Sequence, residues 1–483
     1  MALTFRGGIH IDEHKNAKKS PLELFPSPKF VYIPASQHIG AHAVPLVKAG
    51  DTVDKGQMIA SNESHLSCPV HSSVSGKVVS IDRQMLSTGA LTDFIVIEND
   101  FENRLHISVK PFGKKINETS SEEIIEIIKN AGIAGMGGAM FPTYAKIQSA
   151  KNKVTTLIVN CAECEPYITA NHRLMLERPE QIINGMKILL KTLGLKVGYI
   201  AIEDNKLDAA ESMTSAAAKS KMVEIKILKT KYPQGDERQL IYALTGRELP
   251  SGKLPADFGC VVFNPETCAA VCAAFVSGMP LCERILTVDG DCVISPKNLI
   301  VPIGALVTEV IEYCGLKKEP NKIVKGGPMM GLAVFDVKNP VTKGTTALLA
   351  FSKKRPGGIS SECIRCGKCA SGCQMRLYPS YLALFSQKED LEMCEKYDVF
   401  SCVECGCCTY ICPANVPIVQ HIRKAKGRIL EKLRREEALA KAKLSDGPTA
   451  PTAYRGRADA ARLRKTEKDR ENKAGDPEQE QKQ

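Results

Sequence analysis

Cys363-x-x-Cys366-x-x-Cys369-x-x-x-Cys373 is followed further along the chain by Cys402-x-x-Cys405-x-x-Cys408-x-x-x-Cys412-Pro413. Three cysteines two residues apart wrap a tight loop round a cubane, with backbone N–H groups turned toward the sulfurs, and a fourth projects from a following helix. Each run is therefore expected to hold iron and sulfide. Structural zinc uses cysteines as separated pairs instead. Two irregularities stand out. Gln374 takes the place that Pro413 has after Cys412. That residue ligates nothing, so ligation should survive. Cys407 adjoins Cys408, but only Cys408 keeps both spacings, and Cys407 is expected to be a bystander. The chain has 19 cysteines, and the others, such as Cys268, Cys272 and Cys282, sit in apolar company and read as small core residues. His65, Cys68 and His71 lie near one another in sequence, but a chance grouping in a loop is the better reading than a metal site.

A second constellation lies upstream. Gly135-x-Gly137-Gly138 is followed by Phe141 and Lys146, and the next buried run ends in Asn160-Cys161-Ala162-Glu163-Cys164-Glu165-Pro166. The N–H groups of a glycine-rich loop can surround a phosphate. Lys146 adds positive charge and Phe141 a flat face for stacking. Asn160, Glu163 and Glu165 fall at the C-terminal end of a strand, where α/β sheets bind ligands. The plainer alternatives are an ordinary turn for the glycines and a solvated loop for the carboxylates.

The elements that must position these groups follow from periodicity. Residues 1–115 read as β-rich, with short runs around 44–47, 49–60 and 75–81 broken by Gly and Asp turns. From Ser121, Ile124, Ile127, Ile128 and Ala131 recur at helical spacing. Glu122 and Glu123 occupy the first turn, where the helix dipole favours anions. Buried strands at 154–159 and 197–202 alternate with helices at 179–193 and 206–219, an α/β pattern over 116–283. Residues 284–345 form a strand–helix–strand unit of β-grasp type, with its helix at 305–313. Cysteines dominate 355–435, and the link at 378–400 reads helical. Residues 436–483 form a charged tail too polar to offset chain entropy, hence disordered.

The 483 residues have a net charge of +11, are 25% charged and 43% hydrophobic, and contain no Trp. That composition excludes a wholly disordered chain. The absence of a long apolar run argues against a spanning helix, and the start lacks a secretory h-region, so the protein is expected in the cytoplasm. The positive charge suits acidic partners, with a scattered solvated face as the alternative. Nucleic acid is not expected, because acidic residues are mixed through the basic tail and no aromatic stacking pattern accompanies it.

The cysteine pattern resembles the two-cluster bacterial ferredoxin run. On that pattern one [4Fe–4S] cluster takes Cys363, Cys366, Cys369 and Cys412, and the other takes Cys402, Cys405, Cys408 and Cys373. The long helical link between the runs suggests a helical two-cluster domain rather than a compact small ferredoxin. Residues near the N-terminus resemble the barrel-sandwich hybrid of biotinyl and lipoyl domains, but 61–67 lacks the lysine those domains modify, so the module reads as structural or docking. Gly132-x-x-Gly135-x-Gly137-Gly138-Ala139-x-Phe141-Pro142-x-x-x-Lys146 resembles the flavin loop of the NADH-oxidising subunit of respiratory complex I. Asn160-x-x-Glu163-x-Glu165-Pro166, Tyr232-Pro233-x-Gly235-Asp236-Glu237 and Asn264-x-Glu266-Thr267 are similar to its next three motifs. The order of barrel-sandwich, flavin domain, β-grasp and two cysteine runs, with the opening Phe5-Arg6-Gly7-Gly8-Ile9-His10, resembles the RnfC family. That family supplies the peripheral subunit of ion-translocating ferredoxin:NAD+ oxidoreductases.

The resemblance implies a multidomain α/β and α+β chain: an N-terminal barrel-sandwich hybrid, a complex I-like flavin domain, an SLBB-like β-grasp and a helical ferredoxin-type domain. It implies that Gly135, Gly137, Gly138, Asn160, Asn264 and Thr267 hold FMN. Phe141, Lys146, Glu163, Glu165 and Glu237 would face NAD(H). The chain departs at Met136, where complex I has Arg, at Cys161, where the family commonly has Gly, and at Met140, a position often small. Bulk at 140 and 161 would be expected to crowd the flavin ring. The implied function is an oxidoreductase and translocase subunit, with no nucleophile or general acid of its own. It would pass electrons between two [4Fe–4S] clusters and NAD(H) through FMN. Its partners would be the other subunits of the Rnf membrane complex and, indirectly, ferredoxin, and its place the cytoplasmic face of the cell membrane. A cluster-bearing adaptor with an empty nucleotide fold and a related soluble cobalamin reductase are the alternatives. The N-terminal position of the barrel argues against the latter.

Overall fold

The computed structural model describes residues 3–445 apart from 65, 88, 251, 337 and 354–359. Its N-terminal sandwich packs two antiparallel sheets face to face. One runs Phe30–Pro34, Leu91–Asn99, Gly76–Met85, Thr52–Val53, and the other Val44–Pro45, Met58–Ser61, Val70–His71. Val31, Ile33, Ile59, Val70, Val78, Ile95 and Ile97 fill the space between them. The first residues of the expected 1–115 module pair outside the two sheets of this sandwich. Leu3 bridges Leu228, Ile9 bridges Tyr232, and Leu22–Leu24 pairs in parallel with the distant strand Lys297–Pro302. Phe5 and Ile9 are buried, and the flavin-domain surface they cover is only formed once the chain has folded, so local pattern could not assign them.

The central domain is a parallel sheet ordered Val223–Leu228, Gly198–Glu203, Thr156–Cys161, Cys260–Phe263. Both faces are covered, as parallel sheets require. Leu157 and Val159 point into one core with helices Ser121–Asn130, Pro179–Leu193 and Pro265–Ser277. Ile158 points into the other, against Leu240 and Ile241 of helix Glu237–Thr245. The helix Pro179–Leu193 matches the expected 179–193. A capping box opens Ser121–Asn130: Ser120 Oγ accepts from Glu123 N at 3.2 Å, and Glu123 Oε2 accepts from Ser120 N at 2.8 Å.

The next sheet runs Leu22–Leu24, Lys297–Pro302, Glu283–Asp289, Ala347–Phe351, Lys322–Lys325, Leu332–Ala333, with helix Val307–Tyr313 on it. Its strand Ala347–Phe351 lies beyond the expected boundary at 345, because it fills the gap between Glu283–Asp289 and Lys322–Lys325. Short helices Lys368–Ser371, Pro379–Gln387, Leu391–Lys396 and Cys407–Tyr410 carry the cysteine region. The last helix, Ile418–Ser445, continues into the segment expected to be disordered from 436. Its Glu, Lys, Arg, Ala and Leu are strong helix formers, and Glu431 pairs with Arg435 one turn away at 2.6 Å. The rest of the expected tail, 446–483, lies outside the described residues.

A buried joint fixes the glycine-rich loop to the sandwich. Lys343 Nζ donates to Pro69 O at 2.6 Å and to Gly132 O at 2.7 Å. Gly132 has φ +64°, and a Cβ there would lie 2.4 Å from Pro69 O, so glycine is required. Burial first, then the Lys343 charge, pushes His71 down to about 3 and His38 down to about 4. Both imidazoles are thus neutral in the folded chain near pH 7. As pH falls below about 6.5 the unfolded chain binds protons that the folded chain refuses, so stability decreases with acidification. Each imidazole should cost about 2 kcal/mol of stability between pH 7 and pH 5. Thermal melting of His71→Asn and His38→Gln should show a shallower pH slope than wild type. Parallel slopes would contradict neutral burial.

Candidate flavin crevice and cysteine loops

The chain leaves Thr156–Cys161 toward Gly198–Glu203 and Val223–Leu228 on one side, then returns to Cys260–Phe263 on the other. The reversal opens a crevice at the carboxyl ends of Thr156–Cys161 and Cys260–Phe263, the place where open α/β sheets take ligands. Asn160 stands at the end of the first strand and Asn264 directly after the second. Asn264 caps helix Pro265–Ser277, accepting from Glu266 N at 2.9 Å. Thr267 Oγ1, on that helix's first turn, accepts from Met136 N at 3.2 Å and so ties the glycine-rich loop to the helix N-terminus.

The loop itself closes through Gly135 N to Phe141 O at 2.9 Å. A Cβ on Gly137 would meet Asn264 Cβ at 3.0 Å, whereas Gly138 faces open space. Gly137, Gly138 and Ala139 are exposed. Bare backbone beside a helix N-terminus favours an anion, and these residues fit a flavin phosphate. Lys146 pairs with Glu237 at 2.9 Å and lies 5.6 Å from the centroid of Phe263. Asn160 Nδ2 donates to Gly235 O at 2.8 Å, drawing the Tyr232–Glu237 turn to the same strand end.

The two bulky departures, expected to crowd the flavin ring, both pack against protein. Cys161 is fully buried within the apolar core, and burial together with Cys268 raises its thiol well above the usual range. Met140 lies against Gly344, where a Cβ would come 2.1 Å from its sulfur. The carboxylates expected to face NAD(H) have backbone partners. Glu163 is buried and accepts from Asn171 N at 2.8 Å and His172 N at 3.3 Å, serving the start of helix Ala170–Glu177. Glu165 accepts from Met329 N and Met330 N, both at 3.1 Å, and burial pushes it up to about 7. Both carboxylates hold neighbouring chain together, a use that spacing alone could not separate from nucleotide contact. Glu266, to which no sequence pattern gave a task, forms a buried ion pair with Arg284 at 2.9 Å and accepts from Ile285 N at 2.8 Å, behind the loop.

The two cysteine runs wind alike. Arg365 and Glu404 both have φ +57°, Gly367 and Gly406 have φ +75° and +83°, and Arg376 and Asn415 have φ +54° and +53°. Left-handed backbone costs a non-glycine roughly 1–2 kcal/mol, so its repetition at matching positions marks a shared task. Cys373, Cys402, Cys405 and Cys408 line one cavity, together with Gln374. A cubane spreads its sulfur ligands more widely than one ion does. Among the described residues no three His, Cys, Asp or Glu side chains converge on a single-ion position. The cavity's donor set fits an iron–sulfur cluster. Cys363 and Cys366 are exposed, Cys369 is buried and Cys412 is intermediate. Cys407, expected to be a bystander, also lines this cavity and is buried against Ile9 and Tyr232. Cys68 and His71 are buried, and His65 lies outside the described residues.

Tyr232 connects the two centres. Its hydroxyl donates to Cys405 O at 2.6 Å and stands 3.4 Å from Glu165 Oε1. Gln239 Nε2 contacts Met375 Sδ at 3.5 Å nearby. The turn that reaches Asn160 therefore also touches the second cysteine loop. In sequence Tyr232 is visible only as one member of a motif, with no task of its own. Gly137→Val should force the loop off Asn264, at about 1–3 kcal/mol for overpacking. Flavin released from denatured protein should fall about tenfold, with iron content unchanged. Full flavin occupancy would contradict the crevice assignment.

Residues 128–273 match the Nuo51 FMN-binding domain, and residues 3–102 match the RnfC barrel sandwich hybrid domain. The chain is 42% identical over 436 residues to the C subunit of the Na(+)-translocating ferredoxin:NAD(+) oxidoreductase complex of Acetobacterium woodii, covering 89% of this chain and 98% of that one. It is 43% identical over 443 residues to the C subunit of the proton-translocating ferredoxin:NAD(+) oxidoreductase complex of Clostridium ljungdahlii, covering 91% and 96%. Against the C subunit of the ion-translocating oxidoreductase complex of Rhodobacter capsulatus the identity is 40% over 446 residues, covering 90% and 85%. With 40% identity or more over about nine tenths of its length, the chain belongs to the RnfC family of ion-translocating ferredoxin:NAD(+) oxidoreductase complexes.

Proposed function

We propose that this chain is the peripheral electron-transfer subunit of a membrane-bound ferredoxin:NAD+ oxidoreductase, holding FMN in the crevice and two [4Fe–4S] clusters on the cysteine loops. The observation that carries it is the 2.6 Å bond from Tyr232 to Cys405 O, which holds the turn beside the flavin crevice against one cysteine loop. A flavin exchanges a hydride with NAD(H) and passes electrons singly to iron–sulfur centres, which carry one at a time. The chain's own residues bind and space these groups. Gly135, Gly137 and Gly138 with the helix start at Asn264 and Thr267 take the flavin phosphate, and Asn160 sets the strand end. Phe141, Lys146 and Glu237 border the face open to the nicotinamide nucleotide.

Cys402, Cys405, Cys408 and Cys373 serve the cluster beside the flavin. Cys363, Cys366, Cys369 and Cys412 serve an outer one, whose exposed Cys363 and Cys366 suit electron entry from another subunit. The strand order from Glu283 to Phe351, with its two central strands Glu283–Asp289 and Ala347–Phe351 parallel, supports the SLBB-like β-grasp reading. The short helices after 367 support a helical ferredoxin-type domain. No helix among the described residues is long and apolar enough to cross a membrane. The subunit would dock on membrane partners at the cytoplasmic face.

Anaerobic reconstitution should give about eight iron atoms per chain, as two four-iron clusters require. Cys402→Ser should bring that toward four. A count near four in the wild type, unmoved by Cys402→Ser, would reject the two-cluster reading.

A further inference from the structure

Gln374 follows Cys373 at the position that Pro413 occupies after Cys412 in the matching loop. It is buried at 8% exposure and lines the cavity formed by Cys373, Cys402, Cys405 and Cys408. Its Nε2 lies 3.2 Å from Cys405 Sγ, and its Oε1 lies 3.6 Å from the same sulfur. A thiolate bound to iron carries no proton and can only accept, so the amide nitrogen is the end that pairs with it. The backbone behind the side chain is pinned. Gly8 N donates to Gly372 O at 3.2 Å, and a Cβ on Gly7 would lie 2.9 Å from Gln374 Cα, so the N-terminal segment closes over this turn. Pro413 has no side-chain donor, so the repeat itself supplies the comparison.

We propose that Gln374 raises the reduction potential of the cluster held by Cys373, Cys402, Cys405 and Cys408 by donating an N–H···S hydrogen bond to Cys405. This deepens the two-cluster reading and rests on it. Reduction adds one electron, hence one negative charge, to the cluster, and a donor aimed at a ligand sulfur stabilises the more negative state. The bond therefore favours the reduced form of the cluster next to the flavin. The outer cluster has Pro413 at the matching place and gains nothing there. The two potentials are thereby separated in the sense that draws electrons from the exposed Cys363 and Cys366 side toward the crevice. Gln374 touches a ligand and no substrate, so it acts as a positioning residue for charge.

The test is an anaerobic potentiometric titration of the full reconstituted chain, followed by electron paramagnetic resonance, with iron and flavin assayed alongside. The signal that Cys405→Ser removes identifies the inner cluster. Gln374→Met keeps the length of the side chain and deletes the donor. It should shift the inner midpoint to a more negative potential and leave the outer one in place. Gln374→Glu replaces the donor with a carboxylate and should shift the inner midpoint further the same way. An inner midpoint unmoved in Gln374→Met, at full iron content, overturns the proposal. So does loss of the inner cluster's iron in both variants, which would make residue 374 an assembly residue. A wild type with one reducible centre would instead defeat the two-cluster reading.

Discussion

The hydrogen bond from the Tyr232 hydroxyl to Cys405 O, 2.6 Å long, is the constraint on which the rest of the molecule turns. Tyr232 is 2% exposed, so its hydroxyl and the carbonyl it serves have little water to fall back on. Leaving that carbonyl unpaired would cost about 1–3 kcal/mol. The same residue bridges Ile9 along the backbone, and its hydroxyl neighbours Glu165, which in turn holds Met329 N and Met330 N. One aromatic side chain thus meets the N-terminal segment, the acidic elbow and the cysteine loop. Electron transfer weakens steeply with distance, so a rigid contact at this place is worth more to the function than the stability it supplies.

The geometry divides labour between strain and support. Arg365 and Glu404 hold left-handed backbone that non-glycine residues avoid. For Glu404 the support is visible: Arg423 and Lys426, on the helix Ile418–Ser445, both pair with its carboxylate at 2.8 Å. Lys426 also donates to Cys402 O at 2.6 Å. On the flavin side, the buried Arg284–Glu266 pair and the Thr267 contact brace the glycine-rich loop from behind while its tip stays exposed. A loop that is bare in front and fixed behind can take an anion without first having to order itself.

Much of this was legible in the residues. The eight cysteines and the Gly135–Gly138 string are short-range patterns, whose spacing reflects local winding. The helices beginning at Ser121 and Pro179 announce themselves by capping and periodicity. The rest depends on partners far away in sequence. Leu22–Leu24 is too short to read as a strand and is one only because Lys297–Pro302 offers an edge. Glu163 and Glu165 stand at a strand end, where carboxylates often meet ligands. Their bonds to the N–H groups of 171–172 and 329–330 leave no local signature. Gln374 was visible as a departure from the repeat, but its nearness to Cys405 was not.

A two-electron crevice and one-electron cysteine loops form one wired unit in a single chain. The most direct measurement adds NADH anaerobically to the flavin-loaded, iron-reconstituted protein and follows the visible absorbance of the iron–sulfur centres. NADH should bleach that absorbance in the isolated protein, and flavin-free protein should respond to dithionite alone. Flavin-loaded protein whose cluster absorbance ignores NADH, yet bleaches with dithionite, would show that crevice and loops are not wired together.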